Sequence, residues 1–468
     1  MQSSEQGRVE ADLAILGAGP GGYVAAIRAA QLGARVALIE MNELGGCCLN
    51  RGCIPTKALL RSAELFTQIQ RAKDYGISAG EVTPDFAAMM TRKERVVKQL
   101  RSGVEFLMKQ NKITVVQGKG RLTSPTTIEV EGANGGQQVS APRLVIATGS
   151  FPTRVPIPGA DAPEVITSDD AVKLDSLPRS VAVIGGGAIG LEFGYIFRSL
   201  GATVTVIEML NHILPLEDEE AVGELTRALK KQGIAIHAPA KVTEIAAGTD
   251  GRLAKFEAGG KTQEVTVEQV LMAVGRTPWV MDIGLEQVGV ELAGRAIKAN
   301  ESMETSVPGI YAIGDATGGA LLAHKASAEG KVAVENALGH QAKMSYRAIP
   351  NCLYTAPELA SVGLSEKRAS ELGHEVKVGR FPFRASGKAL AYGEREGLCK
   401  VVVEAGKSTL LGVQIVGPHA TDLIAEAGLA VEHQMTAQQL FHTVHAHPTL
   451  AEVIMEAAED ALGQAIHK

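Results

Sequence analysis

Three of the chain's five cysteines fall within seven residues, in the stretch LGGCCLNRGCIPTK from Leu44 to Lys57. Thiols grouped this way could ligate a metal, pack as structural residues or form a redox-active disulfide. A metal site needs more ligands at suitable spacing, and Cys-Cys-x4-Cys has neither a CxxC pair nor a neighbouring histidine. The structural reading suits Cys352 and Cys399, but it does not explain three thiols crowded beside Gly45, Gly46, Gly52 and Pro55. A disulfide needs Cα atoms about 4.4–6.8 Å apart. Residues five apart on a regular helix exceed that distance and lie about 140° out of phase. A bridge to Cys53 therefore requires an irregular turn, which Gly52 permits. Pro55 suits the first turn of a helix that follows. Cys53 then sits near a helix N-terminus with Lys57 one turn on, and both features favour a thiolate. Spacing alone leaves Cys47 and Cys48 both open as its partner.

Two further constellations are built for phosphate. In ADLAILGAGPGGYVAAIRAAQLGARVALIE, a strand at Leu13 to Leu16 runs into Gly17, Gly19 and Gly22. A helix from about Pro20 to Leu32 follows, and then a strand from Arg35 to Ile39 that ends at Glu40. The glycines serve a tight turn, close approach to a pyrophosphate and helix–strand contact. The helix N-terminus offers free N–H groups to the phosphates, and the acid can accept from ribose hydroxyls. The design returns in SVAVIGGGAIGLEFGYIFRSLGATVTVIE with Gly185, Gly187, Gly190 and Glu208, at the same 23-residue spacing from first glycine to acid. Two such βαβ units predict two bound adenine dinucleotides.

The elements that must carry these residues follow from periodicity and punctuation. Helices are expected over Lys57 to Ala72 and about Phe86 to Gln110, and a buried strand in RLVIATGS, Arg143 to Ser150. Pro152, Pro156 and Pro158 mark a domain boundary. QVLMAVGRTPW, Gln269 to Trp279, is a strand ending in a glycine turn, and VPGIYAIGD repeats that pattern at Asp315. From about Ile349 the sequence turns β-rich, with two helical runs after Asp422, as in an α+β domain. The fold class is α/β, with two Rossmann-like dinucleotide-binding domains and a C-terminal α+β domain. At 468 residues several domains are expected. A composition of 45% hydrophobic and 21% charged residues is that of a globular protein. The net charge of −6 points to no nucleic-acid partner. No apolar run approaches the ~20 residues of a membrane span, and no secretory signal precedes Leu13. Few cysteines and no signal predict a cytoplasmic protein, and the first ten residues read as a disordered tail.

GGCCLNRGCIPTK resembles the signature of the flavoprotein disulfide reductases, a family with FAD and a nicotinamide cofactor. The resemblance runs over essentially the whole chain. It implies that Cys48 and Cys53 are the redox pair, because the family's pair is Cys-x4-Cys, and that Cys47 replaces a small residue as a spare thiol. AIGD matches the second FAD motif, with Asp315 on the ribityl chain. Leu-Ala-His-Lys, from Leu322, is similar to the run in the dihydrolipoamide dehydrogenase branch, with Ala323 at the flavin. Gly120 matches a backbone contact to the adenine of FAD, and Lys57 is assigned to both the thiol site and the flavin site. Val242 and the AVGR run from Ala273 to Arg276, including Gly275, match NAD-side positions. HTVHAHPTLAE is similar to the C-terminal His-Pro-x4-Glu motif. It selects His447 as acid–base residue and Glu452 as its orienting carboxylate over His442 and His445.

Several branches are disfavoured. Glu208, with no arginine directly after it, suits NAD and would repel a 2′-phosphate. The chain ends GQAIHK without the cysteine pair of mercuric reductases. The resemblance implies oxidation of dihydrolipoamide with NAD⁺ in a homodimer whose active sites are shared between subunits. A lipoyl-bearing acyltransferase or the H protein of glycine cleavage is the expected partner. The alternative is an NAD(P)H-dependent reductase of another small disulfide. The expected division is FAD segments 1–153 and 281–347, an NAD segment 154–280 and an interface segment 348–468.

Overall fold

The computed structural model describes residues 7–132, 135–249 and 251–468. Of the expected tail, residues 1–6 lie outside the described residues. Residues 8–10 correct that expectation. Arg8–Glu10 is a strand paired in parallel with Gln138–Ser140, so backbone hydrogen bonding draws it into a sheet.

Contacts divide the chain into two compact units. The first comprises Met1–Ala58, Ala88–Thr153 and Arg276–Ser345. Its main sheet is parallel, in the order Ile310–Ala312, Leu144–Ile146, Leu13–Leu16, Val36–Glu40, Thr114–Gln117. The inner strands Leu13–Leu16 and Val36–Glu40 are apolar on both faces, as parallel strands covered on both sides must be. Ala14, Leu16, Ala37 and Ile39 enter one core cluster, and Leu13, Ile15, Val36 and Leu38 the other. On the second face the helices Pro20–Gln31 and Ala323–Ala337 pack closely. A Cβ on Gly330 would meet the Gly21 carbonyl oxygen at 2.7 Å, so the helix crossing depends on small residues. A four-stranded sheet of Arg8–Glu10, Gly135–Ser140, Thr127–Gly132 and Lys119–Ser124 completes the unit.

The second unit comprises Leu59–Ala87, Arg154–Gly275 and Tyr346–Lys468. It repeats the parallel design in Val165–Ile166, Gln269–Met272, Ser180–Ile184, Thr203–Ile207 and Ile234–His237. A meander of Ala240–Gly248, Gly251–Ala258 and Lys261–Val267 follows. The C-terminal part is an antiparallel sheet ordered Asn351–Leu353, Glu358–Gly363, Leu410–Gly417, Leu398–Glu404, Val376–Pro382. The helices Ala420–Glu432 and Glu452–Ala461 cover it. A charge cluster centred on buried Lys400 and Asp218 ties the two halves of this unit together. Lys400, 3% exposed, reaches Asp218 at 2.9 Å, Glu220 at 3.1 Å and Glu366 at 2.8 Å. Asp218 also caps the helix Glu219–Lys231.

Candidate active site

The cysteine loop is held open by local hydrogen bonds. Gly45 takes a left-handed conformation before the short helix Gly46–Asn50. The Asn50 side chain closes the loop by donating to the carbonyls of Leu44 and Gly46 at 3.0 and 2.9 Å. Gly52 doubles the chain back, because a Cβ there would lie 3.3 Å from the Cys48 Cα and 3.2 Å from the Cys47 carbonyl. The next helix is Cys53–Gln70, starting four residues earlier than expected. Cys53 is thus its first residue, with Pro55 in the first turn and half-buried Lys57 one turn on. Cys48 and Cys53 stand at disulfide contact. The contact sets Cys48, rather than Cys47, opposite Cys53. Cys399 is fully buried in the C-terminal sheet, and desolvation pushes its thiol far up, so it is inert.

The glycine loops are alike in detail. Gly17 and Gly185 have φ of 106° and 105°, where a Cβ would strike the carbonyls of Ala147 and Ala273. Gly22 and Gly190 press on the carbonyls of Gly17 and Gly185, while around Gly19 and Gly187 no atom lies within 4 Å of an added Cβ. Those open positions cap helices that have no side-chain cap, and the helix N–H groups there can donate to an anion. Glu40 accepts the N–H groups of Ala18 and Asn42, each at 2.8 Å. Glu208 accepts those of Gly186 and Leu210 at 2.6 and 2.7 Å. Each buried acid thus braces its own loop and retains lone pairs for ribose hydroxyls. The residues present fit two adenine dinucleotides.

The remaining expected positions differ in character. A Cβ on Gly120 would lie 2.5 Å from Leu16 Cδ1, so strand packing by itself favours a small residue there. Val242 is a core residue of the second unit. Gly275 has φ 110° with open space around it. Asp315 lies in the turn Gly314–Thr317 and accepts from the Ser150 hydroxyl at 2.5 Å. Ala323 is the first residue of the helix behind that turn.

That helix carries residues the sequence reading missed. Lys325 and Glu329, 4% and 0% exposed, pair at 3.2 Å. Glu329 accepts the Gly314 N–H at 2.7 Å, and Lys325 donates to the carbonyls of Gly314 and Gly318 at 3.3 and 2.9 Å. Opposite charges four apart on a helix face were the available signal. Breaking such a buried pair leaves a charge uncompensated. Glu329→Ala is expected to lower stability by about 3–5 kcal/mol, read by urea denaturation. An unchanged midpoint would contradict this account of the turn.

The histidines separate clearly. His447 offers Nδ1 to Glu452 at 2.8 Å, and Glu452 also accepts the Thr449 N–H at 2.8 Å. Burial pushes the Glu452 carboxyl up, but the Thr449 N–H, the His447 hydrogen bond and the imidazole charges outweigh it and hold it below its ordinary value. The His447 side chain is 79% exposed. With Nδ1 engaged, Nε2 is the nitrogen that can exchange a proton. His445 is 6% exposed and satisfied by Glu426 and the Thr443 carbonyl, both at 2.7 Å. His442 stacks edge-on against Phe441. Among the described residues no group of His, Cys, Asp or Glu could hold a metal. Nor is any described helix long and apolar enough to cross a membrane.

Comparison with known proteins extends these observations. Residues 11–330 match the family described as pyridine nucleotide-disulphide oxidoreductase, and residues 349–458 match its dimerisation domain. The second match means that the C-terminal segment is one through which two copies pair. A dihydrolipoyl dehydrogenase of Bacillus subtilis (strain 168) is 44% identical, covering 98% of this chain and 99% of its own. One from Thermus scotoductus is 46% identical over 97% and 98%. Among solved structures, LpdA from Mycobacterium tuberculosis superposes with a TM-score of 0.88 at 28% identity, covering 97% of this chain and 99% of that one. The HOCl-induced flavoprotein disulfide reductase RclA from Escherichia coli gives 0.85 at 26%, covering 96% and 99%. Loop, glycine folds and dimerisation segment agree with these likenesses, and the chain belongs to the pyridine nucleotide-disulphide oxidoreductases.

Proposed function

We propose that the chain is a dihydrolipoyl dehydrogenase, oxidising dihydrolipoamide to lipoamide through Cys48 and Cys53 and reducing NAD⁺. The observation that carries the reading is the contact of Cys48 with Cys53 in a loop pressed against the first dinucleotide site. A Cβ on Gly46 would lie 2.6 Å from the Gly19 Cα. Gly17, Gly19, Gly22, Glu40, Lys57, Gly120, Asp315 and Ala323 would hold FAD. Gly185, Gly187, Gly190, Glu208, Val242 and Gly275 would hold NAD. When bound, FAD would supply the two-electron chemistry, an acceptor for the dithiol's electron pair and a hydride donor for NAD⁺.

The chain's own residues perform the sulfur and proton chemistry. A substrate thiol, with a free pKa of ~8.5, is mostly protonated at neutral pH. His447 Nε2 takes that proton, and Glu452 fixes the tautomer and stabilises the imidazolium. The substrate sulfur attacks Cys48, the Cys48–Cys53 bond breaks, and Cys53 leaves as a thiolate favoured by its helix start and by Lys57. The second substrate thiol then displaces Cys48, its proton passing to the departing Cys48 sulfur, so lipoamide departs and leaves a Cys48 thiol, a Cys53 thiolate and the His447 imidazolium. By this reading His447 and Glu452 serve the loop of the second copy.

The division into FAD segments 1–153 and 281–347, NAD segment 154–280 and interface segment 348–468 belongs to the same proposal. A lipoyl-bearing acyltransferase or the glycine cleavage H protein is the proposed partner, and the cytoplasm, where thiols stay reduced, the proposed compartment. Dihydrolipoamide with NAD⁺ is to be assayed beside NADPH with glutathione disulfide. Rapid NAD⁺ reduction in the first alone is expected. Activity confined to the second would make the chain a reductase of another small disulfide and remove the role given to Glu208.

A further inference from the structure

The AVGR run was assigned to the nicotinamide side, yet the guanidinium of Arg276 works in the first unit. Its Nε donates to the Ser150 hydroxyl at 2.8 Å, and its Nη2 to the Ser150 carbonyl at 2.8 Å. Nη2 also lies 3.2 Å from Cys47 Sγ, as a donor to that sulfur. Ser150 in turn donates its hydroxyl hydrogen bond to Asp315. Arg276–Pro278 and Ser150–Pro152 form a two-stranded antiparallel ladder, so backbone pairing fixes donor and acceptor before any ligand arrives. We propose that Arg276 is a positioning residue, holding the Asp315 carboxylate through Ser150 and tethering the dithiol loop through Cys47.

The physical case rests on direction. A serine hydroxyl has one proton to donate and lone pairs that accept; with the Arg276 Nε–H on a lone pair, the proton is oriented toward Asp315. Arg276 is a charged donor, which strengthens the next bond in the chain. The same planar fork spans the serine carbonyl, a task that a lysine ammonium performs less well. Cys47 is where this sequence departs from the family signature, and its sulfur accepts a guanidinium N–H. The loop and the flavin acid thereby share one cation.

The inference rests on the flavin reading, and the test is binding rather than turnover. FAD dissociation constants are measured by flavin fluorescence for the full chain, Arg276→Met, Asp315→Asn and the double variant. Arg276→Met is expected to weaken FAD about 10- to 100-fold, as for loss of a charged hydrogen bond. The double variant is expected to be no more than about threefold weaker than Asp315→Asn, because both substitutions remove one linked interaction. Unchanged affinity in Arg276→Met, or fully additive losses, would overturn the proposal. Should Arg276→Met fail to fold, Arg276→Lys supplies the same comparison with an intermediate loss expected. Cys47→Val isolates the tether. Its FAD affinity should stay within about threefold, while the reduction potential of Cys48–Cys53 moves in the same direction as in the Arg276 variants. A potential that moves in neither contradicts the tether. Wild-type protein that binds FAD but does not oxidise dihydrolipoamide would sink the substrate assignment alone.

Discussion

Cys48→Ser lowers dihydrolipoamide oxidation by about 10⁴-fold or more, the scale expected when a covalent nucleophile is lost, and leaves flavin bound. Serine at position 48 cannot form the disulfide that receives the substrate sulfur, and no other group in the loop stands at disulfide contact with Cys53. Flavin retention follows because the glycine loop and Glu40 are braced by their own backbone bonds, not by the Cys48 side chain. NAD⁺ reduction and the flavin absorbance that survives gel filtration are the two readouts. Full activity in Cys48→Ser would transfer the role to Cys47, the neighbour that spacing alone left open.

His447→Ala should cost about 10²–10⁴-fold in kcat, the usual span for a general base. Glu452→Gln should cost less, since it keeps the hydrogen-bonding shape and loses only the charge. Subunit mixing separates a shared site from a private one. Neither the Cys48→Ser dimer nor the His447→Ala dimer is active, but in an isologous pair their heterodimer rebuilds one intact site of two. Activity returning on mixing supports catalysis across the interface, and persistent inactivity in proven heterodimers places both groups in one chain. Acid should act here too. Because Glu452 is held below its ordinary value, the stability it contributes is complete above its unfolded pKa. That contribution fades as pH falls through the folded one. Glu452→Gln should therefore flatten the acid limb of the stability profile measured by urea denaturation.

How much of this was legible beforehand differs from residue to residue. Local signals were the reliable ones. The glycine spacing and its terminal acid appeared twice, and both copies fold as strand, loop and helix because short-range sterics and an uncapped helix start decide that geometry. The helix Phe86–Gln110 ends where its pattern ends. The tail was misread because a three-residue strand has no periodicity of its own. Arg8–Glu10 is ordered by Gln138–Ser140, some 130 residues away along the chain.

Chemical identity was thus written in the sequence, in the Cys-x4-Cys loop, the paired Glu40 and Glu208 and the His447–Glu452 spacing. Each depends on residues close enough in the chain to declare one another. Only the tertiary structure decided which histidine is buried against Glu426 and which is left exposed. It alone placed Arg276 beside Cys47 and Ser150, residues 229 and 126 positions away. It likewise aimed Lys325 and Glu329 at the turn of Asp315. Hydrogen bonds between distant segments leave no period or spacing in a single sequence, because the partners meet only after the sheets and their connections have packed.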